Sequence, residues 1–353
     1  MPWDIETPAV VVDTTRLERN LRRMQAAAEA GGAALRPHAK THKCLEIGRR
    51  QLAHGAAGLT VATLAEAEAF AADGCPSVFI AYPLWAGSGS RPARLAALRE
   101  RTELRVGVDS GAAAAALAAA APGLRVLIEI DSGQHRSGIP VAEAAGLAAE
   151  CRALGLDVIG AFTHPGHSYA KPQGADIAAA LAGERAALAA AGAALAGLTD
   201  QAPVLSGGST PTAETEVAAP LTEVRPGTYV FGDRQQMALT GLPEDNVALV
   251  VAARVVSATR AGAAVLDCGS KTLSSDRAGW LDGHGLIREA PEATIVSLSE
   301  EHAVVRGLTT PLRVGDPVTV IPNHVCPVAN LASELLIADG DTIADRWPVT
   351  ARH

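Results

Sequence analysis

Lys40 stands in the run Arg36-Pro-His-Ala-Lys-Thr-His-Lys43, directly after an apolar segment. An amine withdrawn from water has a lowered pKa and can act as a base or as a Schiff-base nucleophile. The cations around it, when protonated, would lower that pKa further. A solvated loop lysine is the alternative reading. Arg136 closes Asp131-Ser-Gly-Gln-His-Arg136. It could face the nitrogen of a bound aromatic ring, or make a surface salt bridge. Ser206-Gly207-Gly208-Ser209-Thr210 is a loop of small residues whose N–H groups could converge on an anion, or simply turn. His324-Val-Cys326 follows an apolar run. Residues i and i+2 of a strand share a face, so an imidazole and a thiolate there could grip one ion, with zinc favoured. Two ligands leave positions open for substrate or water. A buried cysteine beside a polar histidine is the alternative. Asp267-Cys-Gly-Ser-Lys271 and Ser299-Glu-Glu-His302 are further polar segments. His302 is a candidate third metal neighbour or proton carrier, and ordinary turns are equally open.

These groups need a scaffold, and the sequence supplies a rhythm. Short β-branched runs occur at 10–13, 35–40, 58–63, 78–82, 104–109, 125–131, 158–164, 203–207 and 228–231. Ala/Leu-rich amphipathic patterns lie between most of them, as at 17–30, 64–72, 142–154 and 175–198. Strands alternating with helices predict a parallel sheet with right-handed crossovers. Residues 35–231 then supply the eight strands of a (β/α)8 barrel, whose chemistry belongs at the carboxyl ends of the strands. Lys40, Tyr82, Asp109, Arg136, His164, Ser206 and Asp233 all fall at or just after such ends. From Gly241 onward the pattern changes to short strands at 247–258, 263–267, 294–299, 303–306 and 316–321, with Gly, Pro and Asp turns between them. This reads as an antiparallel β domain. The expected division is a barrel over 1–240 and a β domain over 241–353.

The composition excludes several classes. The chain has 353 residues, 48% apolar and 19% charged, which rules out wholesale disorder. A net charge of −8 argues against nucleic acid as a partner. The Ala-rich run 111–122 is too short and too small-sided to cross a bilayer, and the acidic N-terminus does not read as a signal peptide. Five scattered cysteines suit a reducing cytoplasm better than a disulfide framework.

Taken together, Thr7–Asp13, Arg36–Lys43, Glu129-Ile-Asp-Ser-Gly-Gln-His-Arg-Ser-Gly138, Gly166-His-Ser-Tyr169, Ser206-Gly-Gly-Ser-Thr-Pro-Thr212, Arg225-Pro-Gly-Thr-Tyr-Val-Phe231 and Pro322-Asn-His-Val-Cys326 resemble the D-threonine aldolase/D-serine dehydratase family. The resemblance runs in order along nearly the whole chain. It implies the alanine racemase-like fold, fold type III of the pyridoxal 5′-phosphate (PLP) enzymes, with the first strand (about 7–13) joining the β domain. It also implies a homodimer and a divalent metal near the cofactor, zinc or else manganese. By resemblance, Lys40 carries PLP with His38 beside it, and Arg136 faces the pyridine nitrogen. Ser206, Gly207, Gly208, Ser209, Thr210 and Tyr229 hold the phosphate. His167 and Tyr169 line the catalytic site, and His324 with Cys326 binds the metal.

Aldolases of the family typically carry His-x-Asp at the metal and dehydratases His-x-Cys. Cys326 therefore points to a dehydratase of D-serine, D-threonine or 3-hydroxy-D-aspartate, releasing a 2-oxo acid and ammonia. The alternatives are a retro-aldol lyase giving glycine and an aldehyde, a racemase that needs no metal, and a non-catalytic PLP carrier. Carriers of that kind are single barrels without a β domain.

Overall fold

The computed structural model describes residues 2–170 and 175–352. The chain divides into two compact units, Met1–Arg22 with Thr41–Cys44 and Thr228–His353, and Arg23–Lys40 with Leu45–Gly227. Strand β1 (Ala9–Asp13) opens the first of these, the β unit.

The second unit is the barrel. Its strands are β2 (Ala34–Leu35), β3 (Leu59–Val61), β4 (Ser77–Pro83), β5 (Glu103–Val108), β6 (Arg125–Glu129), β7 (Asp157–Phe162), β8 (Val204–Gly207) and β9 (Glu223–Val224). All pair in parallel in the order β2-β9-β8-β7-β6-β5-β4-β3, and a parallel bridge from His38 to Thr60 joins the two ends. Parallel strands covered on both faces should be apolar throughout, and Val126, Leu127 and Ile128 of β6 are each fully buried. Phe79 and Phe162 meet edge-to-face with centroids 5.1 Å apart, and together with Leu127 they fill the interior. The intervening helices start where the sequence caps them. Thr63 Oγ1 accepts the Glu66 N–H at 3.1 Å, and Ser110 Oγ accepts that of Ala113.

The eighth barrel strand differs from expectation. Thr228–Val230 forms a 3-10 turn that groups with the β unit, and the strand is β9, only two residues long. By length and composition alone, Asp176–Ala194 could cross a membrane. In the fold the helix Ala175–Ala194 lies against β7 and β8, with Leu188 and Ala191 fully buried.

In the β unit, β1 pairs antiparallel with β10 (Leu249–Ser257). The later strands are β11 (Ala263–Leu266), β12 (Leu286–Ile287), β13 (Thr294–Leu298), β14 (Ala303–Arg306), β15 (Pro317–Ile321), β16 (Glu334–Asp339) and β17 (Thr342–Pro348). Pairing is antiparallel throughout except between β1 and β16, which run parallel. Val11, Ala252, Ile321 and Leu336 meet in its core.

A buried polar chain crosses the barrel interior. Glu223 accepts Arg36 Nε at 2.7 Å, Arg105 Nη1 at 3.3 Å and Ser206 Oγ at 2.7 Å, while Arg225 Nε donates to Ser206 Oγ at 2.9 Å. Burial would raise the Glu223 carboxyl, but Arg36 and Arg105 outweigh it and hold it below the usual range. The stabilisation is therefore present above the ordinary carboxylate pKa and lost as pH falls through the depressed value. Breaking a buried pair strands its partner charges, so Glu223→Gln is expected to cost about 3–5 kcal/mol. A urea midpoint unchanged from wild type would refute that.

Candidate active site

The carboxyl ends of the barrel strands converge on a cavity of about 320 Å³. His38 and Lys40 reach it from beyond β2, Ala62 from β3 and Tyr82 from β4. Arg136 and Ser137 arrive from the loop after β6, His164 from β7 and Arg225 from β9. Lys40 sits in the 3-10 turn Ala39–Thr41, and its N–H points to His38 Nδ1 at 3.4 Å. Of the residues singled out from sequence, His38, Lys40 and Arg136 share this cavity. Tyr82 and His164, marked in the sequence by their place at strand ends, join them, as does Arg225, which opens the motif Arg225–Phe231.

The two arginines differ. Arg225 is buried and clamped. It donates to Ser206 Oγ and to the Thr163 carbonyl, with Phe162 and Phe79 ring centroids 5.2 and 5.5 Å away. Arg136 is exposed and makes no hydrogen bond or ion pair among the described residues. Burial, then the charges of Lys40, Arg136 and Arg225, holds His164 well below its ordinary pKa, so the imidazole is neutral. The cavity is thus built for an anionic ligand. Glu129, at the end of β6, accepts Ser137 Oγ at 2.9 Å, and burial raises its carboxyl.

His167 and Tyr169 lie on the 3-10 turn Gly166–Tyr169. His167 Nδ1 is buried without a hydrogen-bond partner among the described residues. Ser168 Oγ, 3.0 Å from Ser209 Oγ, ties this turn to the Ser206–Thr210 loop. Within that loop two N–H groups already have partners in the fold. Gly208 N–H donates to Glu184 Oε1 at 2.5 Å, and Ser209 N–H to Thr212 Oγ1 at 3.0 Å. The Ser206 hydroxyl belongs to the Glu223–Arg225 chain. The Ser209 hydroxyl is itself engaged, accepting Thr212 N–H and meeting Ser168 Oγ.

In the β unit, His324 and Cys326 are not on a strand. Asn323 follows β15, His324 caps the helix Val325–Leu331, and Cys326 stands in its first turn. The two side chains nevertheless touch, because a cap residue and the second helical residue can also turn toward one another. Asp233, whose carboxyl burial pushes up to about 6, fixes that helix start by accepting Val325 N–H at 3.1 Å. Asp276 Oδ2 lies 2.5 Å from His324 Nδ1, which leaves Nε2 for the contact with Cys326. Burial works to lower the His324 pKa, but the negative charge of Cys326 and the Asp276 hydrogen bond raise it well above its ordinary value. Cys326 Sγ is also 3.3 Å from Thr41 Oγ1, and Thr41 follows Lys40 in the chain. Tyr229 is buried in the turn Thr228–Val230 of the same unit. Among the described residues no third His, Cys, Asp or Glu completes a metal-binding group, and His302 is exposed elsewhere.

Comparison with known proteins decides the family. Residues 12–235 match the model of the alanine racemase N-terminal domain, and 248–338 match a putative serine dehydratase domain. The chain is 34% identical to the D-threo-3-hydroxyaspartate dehydratase of Delftia sp. (strain HT23), over 95% of each chain. It belongs to the D-threonine aldolase/D-serine dehydratase family. Another relative in this family is the D-threonine aldolase of an Arthrobacter species, 32% identical over 99% of this chain and 93% of that protein. The solved Delftia dehydratase superposes with a TM-score of 0.88 at 32% identity, covering 98% of this chain and 97% of that one. A cysteine-to-alanine mutant of a D-threo-3-hydroxyaspartate dehydratase, similar to the same degree, is described as metal-free. This is a family of PLP-dependent lyases with the alanine racemase-like fold, a barrel and an antiparallel β domain.

Proposed function

We propose that this chain is a PLP-dependent lyase that removes water from D-3-hydroxy amino acids, giving a 2-oxo acid and ammonia. The observation that carries the reading is the strand-end cavity, in which one lysine stands among two arginines and a neutral histidine. Its volume falls within the roughly 300–1,000 Å³ typical of ligand pockets. An unpartnered guanidinium and an orphaned buried His167 nitrogen suit a polar, anionic cofactor. Lys40 Nζ would hold PLP, with Ser209, Thr210 and Tyr229 at its phosphate and His38, His167 and Tyr169 around it. Bound there, PLP draws electrons from the carbon next to an attached amine and so acidifies its Cα–H.

Lys40, which lines this cavity, would be the base that takes that proton. A fixed hydrogen bond to a ring atom needs a fixed donor, so we assign the ring nitrogen to the clamped Arg225 rather than to Arg136. Arg136, without a partner, is left to meet an oxyanion of cofactor or substrate. A guanidinium keeps its proton, so a ring nitrogen facing it stays unprotonated.

His324 and Cys326 fit a divalent ion in kind. They offer a borderline-soft pair, and Asp276 orients the imidazole as carboxylates orient metal-bound histidines. Zinc is the ion we expect, and it would supply Lewis-acid help to a departing hydroxyl. A cysteine-to-alanine relative described in a metal-free form supports a metal at this pair, whichever ion it is. We extend the proposal to a homodimer, which light scattering on eluting protein would test.

Assay of D-serine, D-threonine and both D-isomers of 3-hydroxyaspartate, with products identified, tests the reaction. Ammonia and an oxo acid support it. Glycine and an aldehyde would instead establish the retro-aldol reading, and no turnover at all a carrier.

A further inference from the structure

The helix Ala175–Ala194 is mostly alanine, leucine and glycine, yet it turns Glu184 inward to full burial. Oε1 accepts the Gly208 N–H at 2.5 Å, while Oε2 is buried with no hydrogen-bond partner among the described residues. A Cβ on Gly207 would collide with Oε1, so the carboxyl is pressed directly against the Ser206–Thr210 loop. The charged groups that face it are Arg225, beyond β9, and Arg185, its neighbour on the helix. The Thr212 hydroxyl also reaches it. Neither arginine forms an ion pair with it, so an ionised Glu184 would be a buried charge with one oxygen unserved.

We propose that Glu184 props this loop as a neutral carboxylic acid, and that binding of a phosphate monoester dianion to the loop is coupled to uptake of a proton by Glu184. The proposal rests on reading the loop as the cofactor's phosphate site. Two anions held close in a poorly screened interior repel strongly, and the carboxyl is the one that can be discharged. Burial already pushes Glu184 up to about 7, so its protonation changes near neutrality even without a ligand. A nearby dianion raises that value further. Affinity must then fall as pH rises through the interval between the free and bound values, by at most about tenfold per pH unit.

The test uses the full chain freed of cofactor and titrated with pyridoxine 5′-phosphate from pH 6 to 9. That ester cannot bond covalently to Lys40, and its own second ionisation near ~6 is common to every protein tested. Wild type is expected to lose affinity above pH 7 more steeply than Glu184→Gln, whose amide oxygen can still accept Gly208 N–H but cannot titrate. Pyridoxine without the phosphate should show no difference between the two proteins. Parallel pH profiles for the ester overturn the proposal. Should Glu184→Gln fail to fold, calorimetry of wild type in two buffers of different ionisation enthalpy reads proton uptake directly. Near pH 8 the ester should take up up to one proton more than pyridoxine, and equal uptake overturns the idea. If wild type binds no ester at any pH, the cofactor reading itself falls, and this proposal with it.

Discussion

Lys40→Ala is expected to remove the absorption near the visible edge from purified protein and to cut turnover by at least about 10⁴-fold. On the proposed assignment one amine would carry both the covalent attachment and the Cα proton transfer, so both would be lost together. The spectrum is the more discriminating readout, because a loss of activity alone has many causes. Lys43 is the nearest alternative in sequence, but its Nζ donates to Asn330 Oδ1 at 2.8 Å and to the Ala351 carbonyl at 3.3 Å. A band that survives Lys40→Ala, with borohydride fixing the cofactor on another lysine, would remove the basis of the proposed site.

The second large effect concerns the metal. Hydroxide is a poor leaving group, and an unprotonated ring nitrogen withdraws electrons weakly. A Lewis acid worth several kcal/mol corresponds to roughly 10³-fold in rate. Cys326→Ala should therefore depress elimination by about that factor while leaving the cofactor band in place, since Cys326 lies in the β unit and Lys40 in the barrel. Cys326→Asp should shift preference toward harder ions such as manganese and raise aldol cleavage relative to elimination. Enzyme stripped by a chelator that still eliminates water at full rate would leave the ion without a catalytic role.

Much of this was legible in the sequence because long β-branched runs and capped Ala/Leu helices are local signals. β4, β6 and β7 lie where their apolar runs predict. β9 was missed because a two-residue strand containing Glu223 carries no periodicity, whereas Thr228–Phe231 has strand-like composition but turns. β16 and β17 lie beyond the strands expected from the sequence, and β17 is largely exposed and polar. The His-x-Cys spacing is plain in the sequence but its backbone is not, since an extended cap followed by a helical turn brings two side chains together much as a strand does. Glu184 was invisible for a different reason. An acid beside an arginine in an alanine-rich helix reads as a solvated face, and only the fold shows that it points inward. Arg225 likewise needed the Ser206 and Phe162 contacts to distinguish it from any other arginine.

The shortness of β2 has a mechanical meaning. A barrel wall resembles a ring of staves, and each joint resists opening in proportion to the bonds across it. The joint from β4 to β5 pairs five residues, whereas the one beside Lys40 rests on the bridge between His38 and Thr60. Ala57 N–H to Leu35 O, Thr60 N–H to Pro37 O and the Thr60 hydroxyl to Arg36 O reinforce it. Local opening should begin at this joint, and its amides should exchange with solvent ahead of those of β4–β6. On the proposed assignment, a molecule held by Lys40 would rivet the weak stave, so loading the site would also slow exchange at this joint.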